Sequence, residues 1–224
     1  MPRHKLNISE IQANNVIFGQ LSINKITDQN LLHMLSAVKR EDFVPPAFRH
    51  CAYIDQDIEI GSDRVLLAPL TFASLLQLAD IEPSCRALII GGGNGYAAAV
   101  IADLVGHVVS IDDSSELTAQ AMEHAKRLNL KDVDIKQVKN MADGYPLSAP
   151  YDIIFICGAI EQLPEQLTSQ LGIGGRLVAI RESGKSLGKG ILAKSIDGHI
   201  NIREYFDAST KPLNGFKKSI QFVF

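Results

Sequence analysis

The sequence has no excess of either charge. Lysine and arginine number 22 against 25 aspartates and glutamates, a formal net charge of −3. No basic stripe is present to neutralise nucleic-acid phosphates or to hold an anionic membrane surface, so neither nucleic acid nor membrane is expected as a partner. Cysteine is scarce: Cys51, Cys85 and Cys157 are odd in number and far apart. Without a Cys-x-x-Cys pair they make neither a disulfide framework nor a thiolate zinc site, and buried free thiols in a reducing, cytoplasmic compartment are the expectation. The six histidines show no His-x-x-x-His or His-Glu-x-x-His spacing, so no metal site is expected. Long apolar runs are missing as well, each being broken by Asp, Gln or Gly, which excludes a predicted transmembrane helix. The opening stretch MPRHKLNISE is basic but no apolar h-region follows it, and no signal peptide is expected. Repeats, low-complexity tracts and linkers are also lacking, and 224 residues suit one well-filled core.

What is present is a change of rhythm near Arg86. Before it the chain reads as helical, with Thr27 or Asp28 able to cap a helix whose apolar face is Leu31, Leu32, Met34, Leu35 and Val38. Phe43-Val44-Pro45-Pro46 stops that helix. Residues 52–68 read as a mixed loop with short strands, and Pro69 suits a first helical position. From Arg86 strands and helices alternate. Ala87-Leu88-Ile89-Ile90 is wholly apolar, as a strand buried on both faces must be. A glycine turn and a predicted helix over 96–105 follow, then Val108-Val109-Ser110-Ile111 as a strand and a helix to about Leu128, opened by a capping box at Asp113-x-x-Glu116. Further strands are predicted at 133–138, 153–156, 176–180, 191–196, 200–206 and 219–224, with a helix over 163–171 and turns at Asp197-Gly198 and Asn214-Gly215. Alternating βα units imply an α/β fold, a Rossmann-like doubly wound, mostly parallel sheet. An N-terminal helical extension should pack on it, and the late strands, lacking helices between them, should be antiparallel. We expect one domain over 1–224, with residues 1–80 as extension and cap and 81–224 as a ligand-binding core.

The chemistry centres on Gly91-Gly92-Gly93-Asn94-Gly95-Tyr96, placed between a buried strand and a helix. Glycines let the backbone turn tightly and let a ligand approach it, and ligands of open α/β sheets bind at the carboxyl ends of the strands. Asp112 ends the next strand, twenty-one residues after Gly91, where a carboxylate can accept from both hydroxyls of an adenosine ribose. The dinucleotide pattern Gly-x-Gly-x-x-Gly would need glycine where Tyr96 stands. That bulk disfavours a pyrophosphate on the helix N-terminus and favours a cofactor without phosphates, with S-adenosylmethionine the obvious candidate.

Over nearly its whole length the sequence resembles the protein-L-isoaspartate O-methyltransferase family of class I S-adenosylmethionine-dependent methyltransferases. The resemblance is carried by Lys25-Ile26-Thr27-Asp28, Val38-Lys39-Arg40-Glu41-Asp42-Phe43-Val44-Pro45 and Ala52-Tyr53-x-Asp55. The core adds Ala68-Pro69, the glycine turn with Ala97-Ala98-Ala99-Val100, Gly144-Tyr145-Pro146 with Ala149-Pro150-Tyr151-Asp152, and Gly174-Gly175-Arg176-Leu177-Val178. It implies a Rossmann-like sheet with an unusual strand order near its C-terminal edge. It also implies methyl transfer to the free carboxylate of isoaspartyl residues in damaged protein, so that a protein or peptide is the expected partner. The implied cofactor residues are Gly91, Gly92, Gly93, Asn94, Gly95, Tyr96, Asp112, Asp113, Asn140, Met141, Cys157 and Gly158, with Leu67 and Pro69 on the acceptor side. A carboxylate is already ionised at neutral pH, so such a site needs no general base.

Three positions depart from the family pattern. Leu67 stands where the family places a substrate-binding serine, Ile89 where an acid precedes the glycines, and Asn140 where an acid faces the adenine amine. Asn140 can still accept that hydrogen bond through its amide oxygen, whereas Leu67 supplies no hydroxyl. Two readings therefore stand together: a carboxyl methyltransferase, with a shifted substrate in one version, and a weakly active or inactive relative that binds the cofactor or a partner. A nicotinamide oxidoreductase is disfavoured by the glycine spacing and by the lack of a proton-relay His, or of Tyr with Lys.

Overall fold

A computed structural model describes residues 19–182 and 187–217; the predicted strand at 219–224 lies outside them. Seven strands form one sheet. They are β3 (Arg86–Ile90), β4 (His107–Asp112), β5 (Val133–Gln137), β6 (Tyr151–Ile160), β7 (Leu171–Arg181), β8 (Lys189–Ile196) and β9 (His199–Asp207). A separate two-stranded hairpin, β1 (Ile58–Gly61) with β2 (Arg64–Leu66), precedes them. The sheet order is β5-β4-β3-β6-β7-β8-β9. The first five of these strands are mutually parallel, and β8 and β9 add as an antiparallel meander. The mostly parallel sheet with antiparallel late strands thus follows the alternation seen in the sequence.

Side chains alternate across a strand, so a run such as 87–90 feeds two cores. Ala87 and Ile89 point with Val108, Ile153, Phe155 and Val178 into one cluster, and Leu88 and Ile90 point with Val109, Ile111, Ile154 and Leu177 into the other. The first cluster is closed by helices α1 (Gln29–Ala37), α2 (Pro69–Ala79) and α3 (Tyr96–Ile101). The second is closed by Met141, Tyr151, Leu167, Leu213 and Phe216. Residues 208–217 therefore run as a strap from the first cluster, where Ala208 is buried, to the second, where Leu213 and Phe216 are, held by Leu213 N–H to the Ala159 carbonyl at 2.9 Å and Ala159 N–H to the Lys211 carbonyl at 3.1 Å.

Several local expectations hold and several do not. Asp28 caps α1 through its carboxylate, Pro69 opens α2, and Asp197 and Gly198 turn with positive φ between β8 and β9. The chain before β1 is less helical than expected: residues 40–43 and 46–51 form 3₁₀ turns, because Pro45 and Pro46 deny a continuous helix its amide donors. The helix α4 (Ser115–Arg127) is capped by Ser114, which accepts from Leu117 N–H at 3.3 Å, and not by Asp113. The helix expected over 163–171 shrinks to α5 (Glu165–Thr168), since Leu171 already begins β7. The helix expected over 96–105 ends at Ile101.

Gln170 fixes the loop that carries Asn140 and Met141. Its amide nitrogen donates to the carbonyls of Asp143 (2.8 Å) and Gln166 (2.7 Å), and its oxygen accepts from Tyr145 N–H (2.9 Å). The side chain is buried, and losing three bonds of about 1 kcal/mol each makes a predicted cost of about 2–3 kcal/mol for Gln170→Ala. Urea unfolding should read this loss, and Gln170→Glu should lose stability too because the carboxylate cannot donate. Wild-type stability in Gln170→Ala would contradict the assignment.

Candidate cofactor site

The site lies at the carboxyl ends of β3, β4 and β6. Gly91 and Gly92 donate their N–H groups to the Ile111 carbonyl (3.0 and 3.1 Å), which draws the turn onto the end of β4. Gly95 has φ +92°, and a Cβ there would lie 3.1 Å from the Ala121 backbone. Only glycine allows both that conformation and that approach of the turn to α4. The second half of the turn faces the N-terminal layer. Tyr96 is buried against Phe43 (5.4 Å between ring centroids) and Phe72 (5.3 Å), with the Arg40 guanidinium 5.2 Å from its ring. Asn94 donates to the Phe43 carbonyl. Burial pushes the Tyr96 phenol up from its ordinary pKa, and it stays neutral.

Asp112 is the centre of the arrangement. Its Oδ1 accepts from Ser114 N–H (2.9 Å), and its Oδ2 accepts from Gly93 N–H (3.0 Å) and from Nε of Arg64 (3.2 Å). The Arg64 Nη2 also pairs with Asp113 and lies 3.4 Å from the Met141 sulfur, and Nη1 donates to the Asp63 carbonyl (3.3 Å). Arg64 and Asp112 expose only 2% and 3% of their surface. Burial holds the Asp113 carboxyl above the ordinary carboxylate range, Arg64 opposes that shift, and the neighbouring Asp112 adds to it. Reading the sequence for site residues missed Arg64. A signal was present: alternation in β2 puts Arg64 on the face of the buried Leu66, opposite the half-buried Val65, and an inward arginine needs a carboxylate partner.

Apolar side chains fill what surrounds this pair. A Cβ on Gly91 would meet Leu213 at 2.9 Å, one on Gly158 would meet it at 2.6 Å, and one on Gly93 would meet Ile60 at 2.8 Å. Cys157 is buried beside them. Burial pushes its thiol well above the ordinary range, and the Asp112 charge adds to that, so it packs and does not react. Asn140 stands apart. It is exposed, caps the short turn Met141–Asp143 by accepting from Ala142 N–H (3.2 Å), donates to Asp143 (2.9 Å), and borders a groove of about 390 Å³ that also meets Gly215 and Phe216. Leu67 and Pro69 belong to the packed α2 side: Leu67 is buried in the core, and its carbonyl accepts from Arg40 at 2.7 Å. Asp57 and Asp55 accept from the N–H groups of Ala68 (2.7 Å) and Leu70 (2.9 Å), which satisfies the opening turn of α2.

Comparison with known proteins resolves the lineage. The family model for protein-L-isoaspartate(D-aspartate) O-methyltransferase matches residues 12–209. The chain belongs to the protein-L-isoaspartate O-methyltransferase family. Among its relatives, the enzyme of that name from Erwinia tasmaniensis is 35% identical over 162 residues, 72% of this chain and 77% of that protein. The one from Ignicoccus hospitalis is 37% identical over 172 residues, 75% of this chain and 81% of that protein. Two solved structures share the fold. A protein-L-isoaspartate O-methyltransferase superposes with TM-score 0.72 at 24% identity, covering 89% of this chain and 66% of that longer one. A Plasmodium falciparum chain assigned to the same enzyme class, solved with S-adenosyl-L-homocysteine, superposes with TM-score 0.73 at 20% identity, covering 94% and 100%.

Family membership makes the fit of an adenosine cofactor a direct question. The frame fits, since turn, acid and strand ends are where such a ligand needs them. The side chains as arranged do not. Three donors of the chain already hold Asp112, one of them the Arg64 guanidinium, and Leu213 lies against Gly91 and Gly158. Among the described residues no group of three metal-ligating side chains comes together, and no helix is long and apolar enough to cross a membrane.

The thiols give a check on this packing. Cys51 is half-buried, whereas Cys85 and Cys157 are buried. Titration of the native protein with an aromatic disulfide reagent at pH 8 should label Cys51 first, and Cys85 and Cys157 only on unfolding. Rapid labelling of Cys157 in the folded protein would show that the strand ends are open.

Proposed function

We propose that the chain is an S-adenosylmethionine-dependent carboxyl O-methyltransferase acting on protein or peptide carboxylates in the cytoplasm. The observation that carries this reading is the placement of the glycine turn and Asp112 together at the ends of adjacent parallel strands, in a chain of this family. The proposed cofactor contacts are the backbone of residues 91–95, Asp112, Met141, and Cys157 and Gly158, which lie within β6 at its register shift. The chemistry of the site supports a carboxylate acceptor. Asp112 and Asp113 are tied to Arg64, Cys157 is held as a thiol, and neither cluster offers a general base. A carboxylate is the acceptor that requires none, being ionised at neutral pH. Three free cysteines agree with a reducing compartment.

The acceptor side supports a departure from the usual substrate. With Leu67 buried in the core, an isoaspartyl carboxylate gains no hydroxyl donor there. A missing partner of that kind costs on the order of 1–3 kcal/mol, or roughly tenfold to a hundredfold in rate. In a tritiated methyl-transfer assay with an isoaspartyl peptide, turnover should fall by that factor below the Erwinia tasmaniensis enzyme measured in parallel. Leu67→Ser should not restore it, because a serine there would be buried in an apolar core and would lower stability by about 2–5 kcal/mol. Turnover equal to that relative would overturn the reading of the acceptor side.

A further inference from the structure

Arg64 is absent from the residues that define the site by position, yet its guanidinium touches three of them, Asp112, Asp113 and Met141. We propose that Arg64 sets the affinity of the cofactor site by competing with the ribose hydroxyls for Asp112, so that an adenosine ligand enters only as the guanidinium leaves. The proposal rests on the reading of the site given under the proposed function. Its basis is geometric. The guanidinium reaches Asp112 through Nε at 3.2 Å, pairs with Asp113 through Nη2, and lies 3.4 Å from the sulfur of Met141. These are the acid after the second parallel strand, its neighbour, and the apolar wall beside them. A ribose diol recognises a carboxylate by donating to it, which is what Arg64 does here; Oδ2 also accepts from Gly93 N–H, so it has room for Arg64 or for a ribose hydroxyl but not for both.

The element that carries Arg64 lies outside the main sheet and is rooted in the core by Ile58, Ile60 and Leu66. Arg64 sits on β2, in a two-stranded hairpin outside the main sheet with few paired residues, and isolated hairpins of that size are marginal on their own. The hairpin is tied to the strap by Lys211, which pairs with Asp63 at 2.9 Å and with Glu59 at 3.3 Å. Both carboxylates are largely exposed, and exposed pairs hold weakly. Leu213 lies on the same strap. Displacing the hairpin therefore frees Asp112 without opening the sheet, and it loosens the residues over Gly91 and Gly158 in the same movement.

Isothermal titration with S-adenosylhomocysteine tests this, using wild type, Arg64→Ala and Arg64→Gln, each checked for cooperative thermal unfolding. Arg64→Ala should bind at least tenfold more tightly than wild type. Arg64→Gln should shift the same way by less, since its amide can still donate one bond to a carboxylate. If Arg64→Ala does not fold, Arg64→Gln decides. The gain should appear for 5′-methylthioadenosine, which carries the diol, and shrink for its 2′-deoxy counterpart, which keeps only one of the two hydroxyl donors. A loss of affinity, or none gained, in a folded variant overturns the proposal while leaving the cofactor reading intact, provided wild type binds. Failure of all three proteins to bind at millimolar ligand overturns both. A gain in affinity is also something that mere structural damage at Arg64 would not produce.

Discussion

A guanidinium held between two carboxylates joins the β1–β2 hairpin to the carboxyl end of β4. Taking an arginine and an aspartate out of water carries a penalty of several kcal/mol per ion, which their attraction offsets only when the remaining hydrogen-bonding groups are also met. Here they are met: Asp112 accepts from two backbone N–H groups besides Arg64, and Arg64 donates to Asp113 and to the Asp63 carbonyl. Removing one partner of such a pair leaves an uncompensated charge and costs about 3–5 kcal/mol. The pair therefore fixes where the hairpin lies, and the hairpin in turn receives the strap through Lys211 and through Thr210, whose hydroxyl donates to Asp57.

A second buried arginine organises the opposite side. Arg40 donates to the carbonyls of Ala52 (2.7 Å) and Leu67 (2.7 Å) and stacks over Tyr96, so it ties the N-terminal layer to the glycine turn and to the start of α2. Its neighbours in the Arg-Glu-Asp-Phe-Val-Pro stretch have structural roles as well. Glu41 accepts from the Tyr53 hydroxyl, Asp42 pairs with Arg127 at 3.3 Å, and Phe43 packs edge-on against Tyr96 and His124. The most family-specific segment of the N-terminal half thus acts as scaffold for the turn. Arg40 holds the carbonyl of Leu67, so the scaffold reaches the residue that precedes Ala68 and Pro69 at the start of α2.

The sheet was legible because its signals are local. The short run 87–90 is wholly apolar and, followed by a glycine turn, reads as a strand buried on both faces, and the lack of a predicted helix between the late strands points to an antiparallel meander. Element ends were less legible where neighbouring elements compete for a residue: Leu171 pairs with Tyr151 in the sheet, and that long-range pairing cut short the helix expected to run through it. At the site, position was legible and occupancy was not. The turn, Asp112, Met141, Cys157 and Gly158 come together at the strand ends as their order implies. Which groups already hold them is decided by contacts between residues 48 apart in the chain for Arg64 and Asp112, and 122 apart for Leu213 and Gly91. No spacing rule reports such contacts. Asn140 is exposed and caps its own turn, accepting from Ala142 N–H.

A pair of crystal structures, grown without ligand and with S-adenosylhomocysteine at saturating concentration, tests the competition between Arg64 and the ribose for Asp112. That competition requires Arg64 Nε on Asp112 in the first structure. In the second it requires ribose hydroxyls on Asp112, with Arg64 and the β1–β2 hairpin displaced. An Arg64 side chain already turned away from Asp112 in the ligand-free crystal, or ribose bound to Asp112 with Arg64 still in place, would contradict it.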